Sequence, residues 1–155
     1  MTRNRRLTGI GLAGGILAAT LLAVAQPASA GTSSYASPTG CWKAQAVEGD
    51  IGAADVEITF NADRTLKLTG PRDENGDPYF TGAGTWASQR GGAFTFTLSH
   101  PLPGGPPGEA RSSLDGKLSS YSAFSAQGQT YRHYDDGTVG GPSTITMTGT
   151  RVACA

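Results

Sequence analysis

From residue 40 onward, apolar and polar side chains alternate. Val56-Glu57-Ile58-Thr59-Phe60, Leu66-Lys67-Leu68, Phe94-Thr95-Phe96-Thr97-Leu98 and Thr144-Ile145-Thr146-Met147-Thr148 each carry an apolar group at every second position. A period of two sends successive side chains to opposite faces of a strand, and the wealth of Thr and aromatic residues suits a pleated surface buried on one side. No window shows the 3.6-residue period of an amphipathic helix. The pattern predicts eight strands, near 40–48, 55–61, 65–70, 79–88, 93–99, 111–119, 121–134 and 143–153, the seventh interrupted at Gln127-Gly128.

Turn chemistry separates these runs. Asn61-Ala62-Asp63-Arg64, Gln89-Arg90-Gly91-Gly92 and Asp135-Asp136-Gly137 read as tight hairpins, and Pro71 to Pro78 as a longer polar loop. Residues 100–110, with four Pro and three Gly, form the longest irregular connection. Short connections favour antiparallel pairing between sequence neighbours. The expected fold class is therefore all-β, an eight-stranded antiparallel up-and-down barrel, whose closure removes exposed edges. A two-sheet β-sandwich is the alternative, because period two is common to both.

The first thirty residues break this pattern. Arg3, Arg5 and Arg6 precede a mostly apolar stretch from Leu7 to Val24, and Pro27 precedes Ala28-Ser29-Ala30. A basic start, an apolar middle and a small-x-small end define a secretory signal peptide, so residues 1–30 are read as cleaved and the protein as secreted. Residues 31–38 are small and polar, a flexible lead-in, and 39–155 form a single barrel domain. Cleavage leaves nine basic against twelve acidic side chains, a net charge of −3. A mildly acidic domain has no electrostatic attraction for nucleic acid or for an anionic membrane, so neither is expected as a partner.

Cys41 and Cys154 stand at the start of the first strand and the end of the last. An even cysteine count in an exported chain implies a disulfide. In a closed eight-stranded barrel the first and last strands are neighbours. If Trp42, Ile145 and Met147 point inward, both cysteines point outward and can meet. Such a crosslink stabilises by roughly 4–5 kcal/mol in the chain-entropy model.

Gly40-Cys41-Trp42 is a G-x-W opening the first strand, and Arg151 lies near the end of the last. This pairing resembles the calycin group of barrels, which includes lipocalins and avidins. The resemblance implies that Trp42 packs near the closed end of the barrel against the guanidinium of Arg151, which has the inward parity of Ile145 and Met147. It does not extend to the lipocalin T-D-Y motif, nor to the polar first strand with which avidins hold biotin. Other small secreted barrels, of the allene oxide cyclase or dirigent kind, share the same periodicity.

Chemistry-bearing residues are few. His100 precedes Pro101 at a loop start and reads as solvated. His133, in Tyr131-Arg132-His133-Tyr134-Asp135-Asp136, shares a strand face with Tyr131 and stands near two carboxylates. This makes His133 and Tyr131 the acid/base candidates if the barrel is an enzyme. No G-x-S-x-G surrounds any serine. Asp73-Glu74-Asn75-Gly76-Asp77 resembles half a calcium loop, but Pro78 replaces the glycine such a loop needs, so it reads as a surface turn. Neither a metal nor a cofactor is expected.

Trp42, Phe60, Phe80, Trp86, Phe94, Phe96 and Phe124 fall on the inward parity. Seven rings and a few aliphatics can fill an eight-stranded barrel, whereas Ala44, Ala46, Gly82 and Gly84 leave room for one small ligand. If a cavity exists, Phe60, Trp86, Phe96 and Tyr131 are the ligand-contact candidates. Three functions follow as expectations. The first is a barrel binding a small apolar or amphipathic ligand, and the second a protein–protein module, such as an inhibitor of a secreted enzyme, acting through the 100–110 loop. The third is a cyclase- or isomerase-type enzyme. An interior cavity of at least roughly 300 Å³ separates the first and third from the second.

Overall fold

The computed structural model describes residues 37–154, so the segment read as a signal peptide (1–30) and most of the lead-in lie outside the described residues. Eight strands follow one another: β1 (Gly40–Glu48), β2 (Gly52–Phe60), β3 (Thr65–Thr69), β4 (Thr81–Ser88), β5 (Ala93–Pro101), β6 (Gly108–Ser120), β7 (Ala123–Tyr134) and β8 (Val139–Val152). Each pairs with its sequence neighbours, and β1 pairs with β8, so the sheet closes into a barrel rather than a sandwich. The seam is antiparallel from Cys41 opposite Val152 to Glu48 opposite Ile145. The Cys41–Cys154 disulfide staples its end, with the two Cα atoms 5.3 Å apart.

Alternation governs which side chains enter the barrel. Trp42, Ile58, Phe60, Leu66, Phe94, Phe96 and Leu114 are almost wholly buried, while their strand neighbours are exposed or half-buried. Six of the seven inward rings gather at one end, while Phe80 stands at the other. Phe60 is their hub, meeting Trp86, Phe94, Phe96 and Phe124 edge-on at centroid distances of 6.0, 5.5, 5.5 and 6.2 Å. Such edge-to-face pairs add about 0.5–1.5 kcal/mol each beyond the area they bury. Space for the rings comes from glycines across the ladder. A Cβ on Gly149 would stand 2.1 Å from the Phe124 ring, and one on Gly116 would stand 2.5 Å from the Phe94 ring.

Two tryptophan–arginine pairs seal this end. Trp42 donates its indole N–H to the Pro38 carbonyl at 2.7 Å, and the Arg151 guanidinium lies 4.3 Å from the ring centroid. Arg151 also donates to the Tyr121 carbonyl at 2.8 Å and to the Thr39 carbonyl, and it lies 4.5 Å from the Tyr121 ring. Trp86 repeats the arrangement, donating to the Asn61 carbonyl at 2.9 Å beneath Arg64 at 4.5 Å. Each cation over an indole contributes about 0.5–2 kcal/mol. Arg64 adopts a left-handed φ of 73° in its hairpin, a region few residues other than glycine occupy.

Curvature depends on Gly84 in β4 and Gly128 in β7. A Cβ at Gly84 would meet the Thr97 carbonyl oxygen at 1.8 Å, and one at Gly128 the Ser113 carbonyl oxygen at 1.9 Å. Both obstacles are backbone, so a methyl group there forces neighbouring strands apart. Glycine kinks of this kind let a sheet turn a corner and close. Gly84→Ala and Gly128→Ala are each expected to cost roughly 1–3 kcal/mol in urea unfolding, the range for overpacking. Gly105→Ala, where nothing lies within 4 Å, should stay within about 0.5 kcal/mol. Equal stability of all three variants would refute this role for the kinks.

Candidate functional site

At the end opposite the rings, the inward positions shrink. Ala46 in β1, Ala54 in β2, Gly82 in β4 and Ala110 in β6 replace large side chains where the strands run out towards the connections 49–51, 70–80, 102–107 and 135–138. The barrel wall keeps its width, so the lost volume becomes space. A cavity of about 460 Å³ opens there. Its wall is formed by Val56, Leu68, Leu98, Ala110, Ile145 and Met147, and its rim by Ile51, Tyr79, Leu102 and Pro103. Ile51 and Tyr79 are exposed apolar side chains, 68% and 64% accessible, standing beside the opening. Wider depressions exist on the outer wall, one of about 820 Å³ across β4 to β7, which is shallow and borders on serine, threonine and charged groups.

Polar groups in the mouth are few and placed. Glu48 at the end of β1 forms an ion pair with Arg132 of β7, their side chains only 19% and 18% accessible. Arg132 also donates to the Ser143 hydroxyl at 3.1 Å, so one guanidinium ties together β1, β7 and β8. His100, at the inward parity of β5, stacks on Phe80 with centroids 4.3 Å apart and ring planes 20° apart. Its Nδ1 lies 2.8 Å from the Pro101 carbonyl, which only accepts, so Nδ1 carries the proton in this contact. Ser112 completes the lining, its hydroxyl 2.8 Å from that of Thr130.

The residues singled out from the sequence go elsewhere. Phe60 and Phe96 are about 0% and 1% accessible within the ring cluster, and Trp86 is capped by Arg64 at that same end; none of the three lines the mouth cavity. Tyr131 and His133 occupy the outward parity of β7, because Thr130 and Arg132 take the inward positions between and beside them. Tyr131 borders the outer depression with Glu109 and Arg111, and His133 a neighbouring one with Asp135. The acid/base pair expected inside the barrel therefore faces away from it. His100, read from the sequence as solvated, instead stacks on Phe80 in the mouth, and Ser112, Arg132 and Glu48 carry no motif that singles them out. Extending the parity of Phe94-Phe96-Leu98 by one step would have found His100, and that of Ala126-Gly128-Thr130 would have found Arg132.

The barrel is thus an all-antiparallel closed sheet with one filled and one hollow end. No protein-family model and no curated protein matches the chain. Among solved structures it is similar to one described as a redesigned beta barrel, at 19% identity and a TM-score of 0.53, covering 78% of this chain and 95% of that one. A likeness at that identity concerns the fold alone.

Beside the opening, the 70–80 and 135–138 connections carry Asp73, Glu74, Asp77, Asp135 and Asp136 against Arg72 alone. Asp73 organises its loop: its carboxylate accepts the backbone N–H groups of Asn75 and Asp77, both at 2.9 Å. The Asp77 N–H is the larger cause holding the Asp73 pKa below its ordinary 3.8. A depressed carboxylate pKa means the loop contacts are complete above the ordinary value and are lost as pH falls through the depressed one. Amide exchange at Asn75 and Asp77 should accelerate below that point relative to the strand amides, and Asp73→Ala should show the fast behaviour already at pH 6. Identical exchange profiles in the two proteins would remove Asp73 from this role.

Proposed function

We propose that the mature chain is a secreted, calycin-like binding barrel that holds one small apolar or amphipathic molecule in its mouth. The observation that carries this reading is the apolar-walled cavity of about 460 Å³ at one end of an otherwise ring-packed barrel. Ligand sites are typically clefts of about 300–1,000 Å³, mostly apolar, with a small number of placed polar groups. A chain selected only for stability would fill this space, since an unfilled apolar cavity costs stability roughly in proportion to its volume. The Trp42–Arg151 contact supports the calycin resemblance, and the disulfide supports an oxidising, extracellular-type compartment. The 102–107 connection gives Leu102 and Pro103 to the mouth, which favours ligand contact over use of this loop as an inhibitor's contact element.

Nile red, an uncharged dye that brightens in apolar surroundings, provides the test. The wild-type protein should enhance its emission saturably, and Ala46→Phe, which places a ring in the mouth, should weaken binding at least about tenfold with little change in melting temperature. Absence of saturable binding, or equal binding by the variant, would overturn the reading. Export has its own check. Protein recovered from culture medium should begin at Gly31, and recovery only from cells with Met1 or the apolar segment intact would contradict it.

A further inference from the structure

Ser112 and Thr130 are the buried polar side chains among the described residues, at 5% and 1% accessibility. They face each other across the β6–β7 ladder with their hydroxyl oxygens 2.8 Å apart, inside a wall otherwise made of Leu98, Ile145, Met147 and their neighbours. Each hydroxyl carries one proton and two lone pairs. Their mutual hydrogen bond uses one proton and one lone pair, and neither oxygen has another protein partner among the described residues. One O–H and several lone pairs are left over, and Ser112 lines the cavity. On the outer wall Thr85 and Thr97 form a similar pair at 3.2 Å, but solvent takes their spare proton. At Ser112–Thr130 the natural recipient is whatever fills the mouth, because a buried hydroxyl proton without an acceptor costs free energy.

From this we infer that the ligand is an apolar molecule bearing an uncharged oxygen (an alcohol, ketone or ester) that hydrogen-bonds the Ser112–Thr130 pair, and that carboxylic acids are selected against. The inference rests on the mouth being a ligand site. A carboxylate would need a cation to offset its desolvation. The cation in the cavity wall is Arg132, whose ladder partner Ala110 lies two residues from Ser112, and it is already compensated by Glu48 and bonded to Ser143. The acidic 70–80 and 135–138 connections oppose an approaching anion further. A neutral oxygen meets none of these obstacles. It can accept the spare O–H and, in an alcohol, donate to a free lone pair.

Displacement of Nile red by decan-1-ol, 1-undecene and decanoate at pH 7 separates the cases. Decan-1-ol should bind about tenfold more tightly than 1-undecene and more tightly than decanoate, the size of one well-made hydrogen bond. In Ser112→Ala/Thr130→Val, which removes both partners together and orphans neither, the alcohol should lose that advantage while 1-undecene binds as before. Equal affinity for alcohol and alkene in the wild type, tighter decanoate binding, or an alcohol preference that survives the double variant would each overturn the inference while leaving the cavity reading intact. Failure of every probe, with Nile red itself unbound, would sink both together. Melting temperature and the Phe60-centred ring NMR signals verify that the double variant folds.

Discussion

A closed sheet of eight strands has a width set by its strand number and stagger, and side chains must fill whatever that width encloses. The rest of this structure depends on that constraint. Where the inward residues are Phe60, Phe94, Phe96, Phe124 and two tryptophans, the interior is solid. Where they are Ala46, Ala54 and Ala110, the same wall encloses a space of about 460 Å³. No loop insertion or second domain is required. A gradient of side-chain volume along the barrel axis divides the molecule into a filled, stabilising end and a hollow one.

The stabilising end also closes the sheet. β1 and β8 are the most distant strands in sequence, and joining them carries a large chain-entropy cost. The disulfide, the seam ladder and Arg151, which reaches the carbonyls before β1 and of the β6–β7 connection, act at that end together. At the mouth the seam is held by the Glu48–Arg132 pair instead, a contact made among groups that also line the cavity. The disulfide and the Arg151 contacts are therefore concentrated away from the opening.

Legibility in the sequence follows the same gradient. The alternation of Phe94-Thr95-Phe96-Thr97-Leu98 and Val56-Glu57-Ile58-Thr59-Phe60 marks strands because their inward positions are large and apolar. Eight strands, their order and the disulfide follow from that signal and from two cysteines at opposite ends of the domain, whereas period two left a sandwich open and the β1–β8 pairing decides for the closed barrel. Strand starts at the mouth did not follow. β2, β6 and β8 begin at Gly52, Gly108 and Val139, earlier than the pattern indicates, since Gly52, Ala54, Gly108 and Ala110 carry no hydrophobic contrast. β8 also carries a register shift opposite Thr130–Arg132, within which Pro142 stands, a place where a strand tolerates proline. The cavity was hard to read for the same physical reason. Most of the aromatic residues fill the other end, and besides Tyr79, Phe80 and its aliphatic wall the cavity is lined by small residues, one histidine and Ser112, which period-two reasoning treats as weak signal.

The proposed ligand occupies the mouth, and not the ring-filled end or the outer wall. Methyl NMR during titration with decan-1-ol tests this placement. Saturable shifts and ligand contacts are expected at the methyl groups of Leu68, Leu98, Ile145 and Met147, which line the cavity, with Ile58 and Leu66 little affected. Saturable shifts confined to outward-facing methyl groups such as those of Thr85 and Thr97, with the cavity signals unmoved, would contradict it.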